Sequence, residues 1–136
     1  MEKQKILIAD DSEMNRALLV DILENQYDIV EADNGAAAID LLTQCGGDFS
    51  LLLLDIMMPE MDGFEVLAYI NRYHLNDTLA VIMISADDSP ANIKRAYDLG
   101  AFDYISRPFD AAIVRRRISN TMLLYARQRH LENIIA

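Results

Sequence analysis

The chain has 136 residues, about half of them hydrophobic and a quarter charged, which is the size and balance of one globular domain. Its net charge is −10 at pH 7, and such an acidic surface disfavours direct binding to nucleic acid. Cys45 is the only cysteine, and no apolar run has the length of a membrane span or the pattern of a signal peptide, so we expect a cytoplasmic domain without disulfides or membrane contact.

Short strand-like runs alternate with segments of helical periodicity along the chain. The predicted strands span residues 5–9, 28–32, 50–55, 79–85 and 102–106. The predicted helices span residues 13–25, 35–45, 63–73, 90 to about 100, and 111–136. Because the strands are mostly continuous apolar runs, the pattern predicts an α/β fold of the (βα)₅ type, with a doubly wound parallel five-stranded sheet and helices on both faces.

Several predicted helices begin at recognisable capping residues. Ser12 is a plausible N-cap of the first helix, and Ser89 precedes Pro90 at the start of the fourth. Asp62 and Glu65 have the spacing of a capping box at the start of the third helix.

The last predicted helix is long for a globular domain, because no proline or glycine interrupts residues 111–136. It is either a frayed, solvent-stabilised end or an extension that leads to a partner helix or another domain. We expect residues 1–125 to form the domain and residues 126–136 to extend its last helix as a linker to an output domain. A weak apolar seam, too short to indicate a coiled coil, is formed by Leu124, Leu131 and Ile135.

The charge of the chain changes sign near its end. Residues 1–106 carry 6 basic and 20 acidic residues, whereas residues 107–136 carry six arginines and two acidic residues. These arginines are typical of a solvated helix face, and a docking surface or a connection to another domain is the alternative.

Polar residues stand at the carboxyl ends of four predicted strands: Asp10 and Asp11, then Asp55, then Ser85, then Arg107. In a flavodoxin-like strand order these ends are adjacent, so three carboxylates share one pocket. Mg²⁺ neutralises such a cluster, and a carboxylate can accept a phosphoryl group. The alternative is that each aspartate is a helix cap or a loop acid.

Four stretches, in their order and spacing, carry a family resemblance: ILIADDSEMNR, LLLLDIMMPEMDGFEVL, VIMISA and GAFDYISRPF. Over roughly residues 3–125 the chain resembles the receiver domain of two-component response regulators, of the chemotaxis-regulator type. The resemblance implies strand order 2-1-3-4-5 and a signalling switch rather than a turnover enzyme. It implies a sensor histidine kinase or a phosphotransfer protein as partner; a homodimer formed through the last helix is a further hypothesis.

The resemblance also implies roles for the acidic residues. Asp55 is the expected phosphoacceptor, and its phosphoryl group comes from a histidine of the partner kinase. Asp11 and Asp55 are expected to ligate Mg²⁺ directly, Asp10 mainly through water, and Met57 through its backbone carbonyl.

Three further residues complete the expected site. Ser85 matches the hydroxyl residue that binds the phosphoryl oxygen, and Tyr104 the aromatic residue that turns inward as the face of helix four, strand five and helix five changes shape. An ordinary, half-buried strand aromatic is the alternative for Tyr104. The peptide bond before Pro108 is expected to be cis, and Arg107 is expected to contact Asp55 or its phosphoryl group.

Arg107 departs from the family pattern, in which this position is lysine. The positive charge remains, but a planar guanidinium prefers bidentate partners and needs more room than an ammonium. One hypothesis is that Asp55 is still phosphorylated, with altered rates or switching. The other is a phosphorylation-independent, receiver-like interaction module.

Two further positions bear on the chemistry. Met57 and Asp87 each lie two residues beyond a motif residue, where the family tunes dephosphorylation. An Mg²⁺-dependent phosphohydrolase with an aspartyl nucleophile is a weaker alternative, because such enzymes place a second acid where this chain has Met57.

Overall fold

The computed structural model describes residues 3–86 and 89–135, with side-chain detail at all of these except residue 46 and residues 128–135. In this part of the chain, five strands alternate with five helices. The strands are β1 (Lys5–Ala9), β2 (Asp28–Ala32), β3 (Phe49–Asp55), β4 (Ala80–Ser85) and β5 (Asp103–Ser106). The helices are α1 (Glu13–Leu23), α2 (Gly35–Cys45), α3 (Gly63–Arg72), α4 (Pro90–Asp98) and α5 (Ala111–Ile135). Two short 3₁₀ helices, which the sequence did not predict, span Gly46–Asp48 and Leu75–Asp77.

The strands form one parallel sheet in the order β2-β1-β3-β4-β5, which confirms the predicted doubly wound, flavodoxin-like topology. Alternate residues of each strand face opposite sides of the sheet. Leu51 and Leu53 pack with α1 and α5, whereas Leu52 and Leu54 pack with α2, α3 and α4. Both faces are therefore covered, and this explains why the central strand is continuously apolar.

The predicted caps are confirmed. The Ser12 hydroxyl accepts a hydrogen bond from the third residue of α1, and Ser89 caps α4 in the same way, with Pro90 as its first residue. Asp62 and Glu65 form the complete capping box at the start of α3. Predicted and observed element bounds differ by up to two residues.

The long last helix is also confirmed, as far as Ile135. Ile118 and Met122 are buried against the sheet, whereas Leu124 is half exposed. Asp87 and the side chains of Leu131 and Ile135 lie outside the described residues, so the seam remains a prediction. Among the described helices, none has the length and hydropathy needed to cross a membrane.

Candidate functional site

Asp10 and Asp55 meet at the carboxyl edge of the sheet because of the strand register. Ala9 of β1 pairs with Leu54 of β3, so the residues that follow them, Asp10 and Asp55, lie side by side. Both carboxylates are withdrawn from solvent, with exposures of 0% for Asp10 and 1% for Asp55. Two buried acids side by side repel each other unless a positive charge is near.

Asp11 joins these two residues in an acidic cluster, as predicted. One carboxylate oxygen from each of Asp10, Asp11 and Asp55 lies within 4.8 Å of the other two. Asp11 is exposed, so the cluster opens to solvent on its side. Carboxylate oxygens in this arrangement are the hard donors that Mg²⁺ prefers.

The two oxygens of Asp55 differ in their surroundings. Oδ1 accepts a hydrogen bond from the Met57 backbone N–H at 3.4 Å and lies 3.1 Å from Arg107 Nη2. Oδ2 is buried and has no hydrogen-bond partner. Since native structures rarely bury an acceptor unpaired, Oδ2 is an oxygen that a metal ion could bind.

Burial raises the pKa of Asp55 from 3.8 to about 6; the nearby charge of Asp10 acts in the same direction, and Arg107 opposes both. The carboxyl is thus costly to ionise in the folded protein. A cation at the cluster would lower that cost, which agrees with the donor chemistry of the three aspartates.

Arg107 reaches the cluster from the end of β5. Its Nη2 atom lies 2.5 Å from Asp10 Oδ2 as well as 3.1 Å from Asp55 Oδ1. The contact with Asp55 was expected, and the shorter one with Asp10 was not. The Arg107–Pro108 peptide bond is cis, as predicted.

Arg16 contacts the backbone of the site, which the sequence did not predict. Its Nη1 donates to the backbone carbonyl of Asp10 at 2.8 Å, and its Nε pairs with Glu31 on β2 at 3.1 Å. The available signal was its place near the N-terminus of α1, where the helix dipole disfavours a basic side chain unless it has another partner.

Gly63 fixes α3 against the end of β3. A Cβ at this position would lie 2.3 Å from the Asp55 carbonyl oxygen and 2.8 Å from Ile56 Cα. The Gly63 N–H also donates to the Ile56 carbonyl at 2.8 Å. Only glycine permits this approach, so Gly63 sets the position of the loop that follows Asp55.

Ser85 and Tyr104 lie on the same face of the sheet, toward α4. Ser85 ends β4 with 1% of its surface exposed, and its backbone carbonyl accepts from the Arg107 N–H at 2.9 Å. Tyr104 pairs in register with Met83, two residues before Ser85, and is 5% exposed. It is thus more deeply buried than the half-buried aromatic that we considered.

Arg117, also not singled out from sequence, connects the elements around Tyr104. Its Nη1 donates to the Tyr104 carbonyl at 2.7 Å and contacts the Asp103 carboxylate at 3.2 Å. The Tyr97 hydroxyl of α4 donates to the same carboxylate at 3.3 Å. One polar network thereby spans α4, β5 and α5.

Comparisons with known proteins agree with this geometry. A family model described as the response regulator receiver domain matches residues 6–119. The chain is 35% identical over 123 residues to the chemotaxis protein CheY of Halobacterium salinarum, a match that covers 90% of the chain and 98% of that protein. The crystal structure of the CheX-CheY-BeF3-Mg+2 complex from Borrelia burgdorferi superposes with a TM-score of 0.82 at 30% identity, covering 88% of this chain and 89% of that one.

Other relatives are longer than this chain. It is 35% identical over 113 residues to a probable cyclic di-GMP phosphodiesterase of Vibrio cholerae, a match that covers 83% of the chain but 25% of that protein. Six further curated relatives are likewise covered over about half of their length or less.

Proposed function

This chain belongs to the response regulator receiver domains, the signalling switches of two-component systems, and on that premise we propose that Asp55 accepts a phosphoryl group from a histidine of a partner kinase or phosphotransfer protein. The observation that carries the proposal is the buried, unpartnered Oδ2 atom of Asp55 inside the acidic cluster. In the transfer, a carboxylate oxygen of Asp55 bonds to phosphorus as the phosphorus–nitrogen bond to the histidine breaks.

The residues of the cluster are suited to hold Mg²⁺. Asp11 and Asp55 would ligate it directly, Asp10 mainly through water, and Met57 through its backbone carbonyl. When bound, the metal neutralises charge on the phosphoryl oxygens and orients the reacting groups. The Met57 N–H donates to Asp55 Oδ1, which leaves Oδ2 as the oxygen without a hydrogen-bond partner.

Ser85 and Tyr104 are the proposed switch residues. Ser85 would hydrogen-bond a phosphoryl oxygen, and the positions of Tyr104 and of the α4–β5–α5 surface would follow, which shifts the population between two packings. The Arg117 contacts with Asp103 and with the Tyr104 carbonyl support this role, because they tie α5 to the strand that carries Tyr104.

The partners follow from the family and from the longer relatives. Receiver domains interact with histidine kinases, and relatives of this chain carry output domains. We propose that residues 1–125 are the receiver domain and that residues 126–136 lead to an output domain; dimerisation through α5 is a further proposal.

Binding of beryllofluoride, which mimics a phosphoryl group on aspartate, tests the site. Fluorine NMR of the protein with Mg²⁺ and beryllofluoride is expected to show a bound signal that disappears in Asp55→Asn and on chelation of Mg²⁺. The proposal fails if wild type gives no bound signal. A turnover assay with small phosphate esters separates the weaker phosphohydrolase alternative, in which they would be hydrolysed catalytically.

The second candidate is a phosphorylation-independent interaction module. Two observations favour it: Arg107 already pairs with both buried aspartates, and Tyr104 is already buried. If a partner kinase or phosphotransfer protein binds wild type and Asp55→Asn with equal affinity, with or without beryllofluoride, this candidate replaces the first.

A further inference from the structure

The guanidinium of Arg107 is a cation that contacts two of the three acids of the proposed metal site. Its Nη2 atom contacts Asp10 Oδ2 at 2.5 Å and Asp55 Oδ1 at 3.1 Å. The arginine side chain is only 20% exposed, and its Nε is buried without a hydrogen-bond partner. The guanidinium thus lies inside the acidic cluster rather than at its rim.

Both oxygens of Asp10 already have donors. Oδ1 accepts from the Ser12 backbone N–H at 2.9 Å, and Oδ2 accepts from Arg107. Asp10 is fully buried, so the guanidinium is the cation that compensates its charge. A charge-assisted contact of this length, away from water, is among the stronger polar interactions in proteins.

We propose that Arg107 is a resident counter-ion that opposes Mg²⁺ binding, and that its ion pair with Asp10 sets the metal concentration at which the site fills. The inference rests on the proposed function, because it takes the cluster as the metal site. A divalent cation that enters the cluster is repelled by the Arg107 guanidinium, which contacts two of its proposed ligands. The two cations therefore compete for the negative charge of Asp10 and Asp55. By linkage, the factor by which bound Mg²⁺ weakens the Arg107–Asp10 ion pair equals the factor by which that ion pair lowers the affinity for Mg²⁺.

The guanidinium makes both contacts through one nitrogen, Nη2. Its other N–H donors, among them the unpartnered Nε, lie at fixed angles in the same plane. A guanidinium released from Asp10 is then free to contact phosphoryl oxygens, for which its geometry is well matched. Metal binding would thereby prepare Arg107 for phosphoryl transfer.

Calorimetric titration with Mg²⁺ at constant ionic strength tests the proposal. Arg107→Gln is expected to bind Mg²⁺ about tenfold more tightly than wild type. Arg116→Gln, which removes the same charge from the exposed surface of α5, is expected to leave the affinity unchanged. In wild type, the NMR signal of the Arg107 Nε–H group should shift as Mg²⁺ is added.

Each outcome has one meaning. Equal or weaker Mg²⁺ binding by Arg107→Gln overturns the inference and leaves the metal site standing. Absence of Mg²⁺ binding in both proteins overturns the metal site, and this inference with it. If Arg107→Gln does not fold, the wild-type NMR titration decides: a shift of the Arg107 Nε–H signal that saturates as Mg²⁺ binds supports the inference, and an unchanged signal while Mg²⁺ binds overturns it.

Discussion

Arg107 and Asp10 are 97 residues apart in the chain, yet they form the closest ion pair of the site, with 2.5 Å between Nη2 and Oδ2. The pair crosses from the end of β5 to the end of β1, with β3 and β4 between them in the sheet. Its acid is fully buried, so removal of the arginine leaves an uncompensated charge. The arginine is therefore part of the folded site as well as of its chemistry.

Replacement of Asp55 by asparagine should stabilise the metal-free protein at neutral pH. The pKa of Asp55 is raised from 3.8 to about 6, so its ionised form destabilises the folded state relative to the unfolded state. Below pH about 4 the carboxyl is protonated in both states and this penalty is absent; it grows as the pH rises and is complete above pH about 6. The shift corresponds to about 3 kcal/mol, which is the upper bound expected for Asp55→Asn in urea unfolding at pH about 7.

The exposed Asp21 provides the matched control for this measurement. Asp21→Asn should change stability little at any pH, whereas the advantage of Asp55→Asn should shrink as the pH is lowered from about 7 to about 4. An Asp55→Asn protein that is no more stable than wild type at neutral pH would contradict the assigned pKa.

Removal of Mg²⁺ should lower the melting temperature of wild type at neutral pH, because a ligand that binds only the folded state stabilises it. The effect should fade as the pH falls below about 6, since protonated Asp55 no longer offers its full charge to the metal. Differential scanning calorimetry with and without chelator measures both trends. Equal Mg²⁺ effects in wild type and Asp11→Asn would argue against the predicted ligand set.

Gly63→Ala should destabilise the fold by about 2 kcal/mol, in the usual range for overpacking. The added methyl group meets the backbone of Asp55 and Ile56, which cannot rotate away as a flexible side chain does. Gly47→Ala is the control, because its Cβ would have nothing within 4 Å. Urea unfolding compares the two, and a Gly63→Ala protein as stable as the control would refute the packing argument.

Arg117→Gln should destabilise the protein by about 1 kcal/mol, mainly through loss of the hydrogen bond to the Tyr104 carbonyl. Its ion pair with Asp103 is partly exposed and contributes less. Thermal unfolding beside Arg116→Gln, which removes an exposed charge on the same helix, measures the difference. Indistinguishable melting temperatures would show that the network adds no stability.

Much of the fold follows from the sequence, because its local signals agree with one another. Apolar strands, helix caps at Ser12, Asp62 and Ser89, and acids at the carboxyl ends of strands one and three define the alternation and the edge where the site lies. The strand order required the family resemblance, since periodicity does not say which strands are neighbours.

The contacts of the long arginine side chains could not be predicted from the sequence. Whether Arg107 reaches Asp55 alone or Asp10 as well depends on rotamers and on the register of four strands. The bonds from Arg16 to the Asp10 carbonyl and from Arg117 to the Tyr104 carbonyl have backbone acceptors, which no pattern of residue types reveals.

Covalent phosphorylation of Asp55 is the most direct test of the central claim. The protein is incubated with Mg²⁺ and a small-molecule phosphodonor, and its intact mass is measured before peptide mapping. We predict the mass gain of one phosphoryl group, mapped to Asp55 and absent in Asp55→Asn. No gain in wild type, or a gain at another residue, would contradict the assignment of Asp55 as phosphoacceptor.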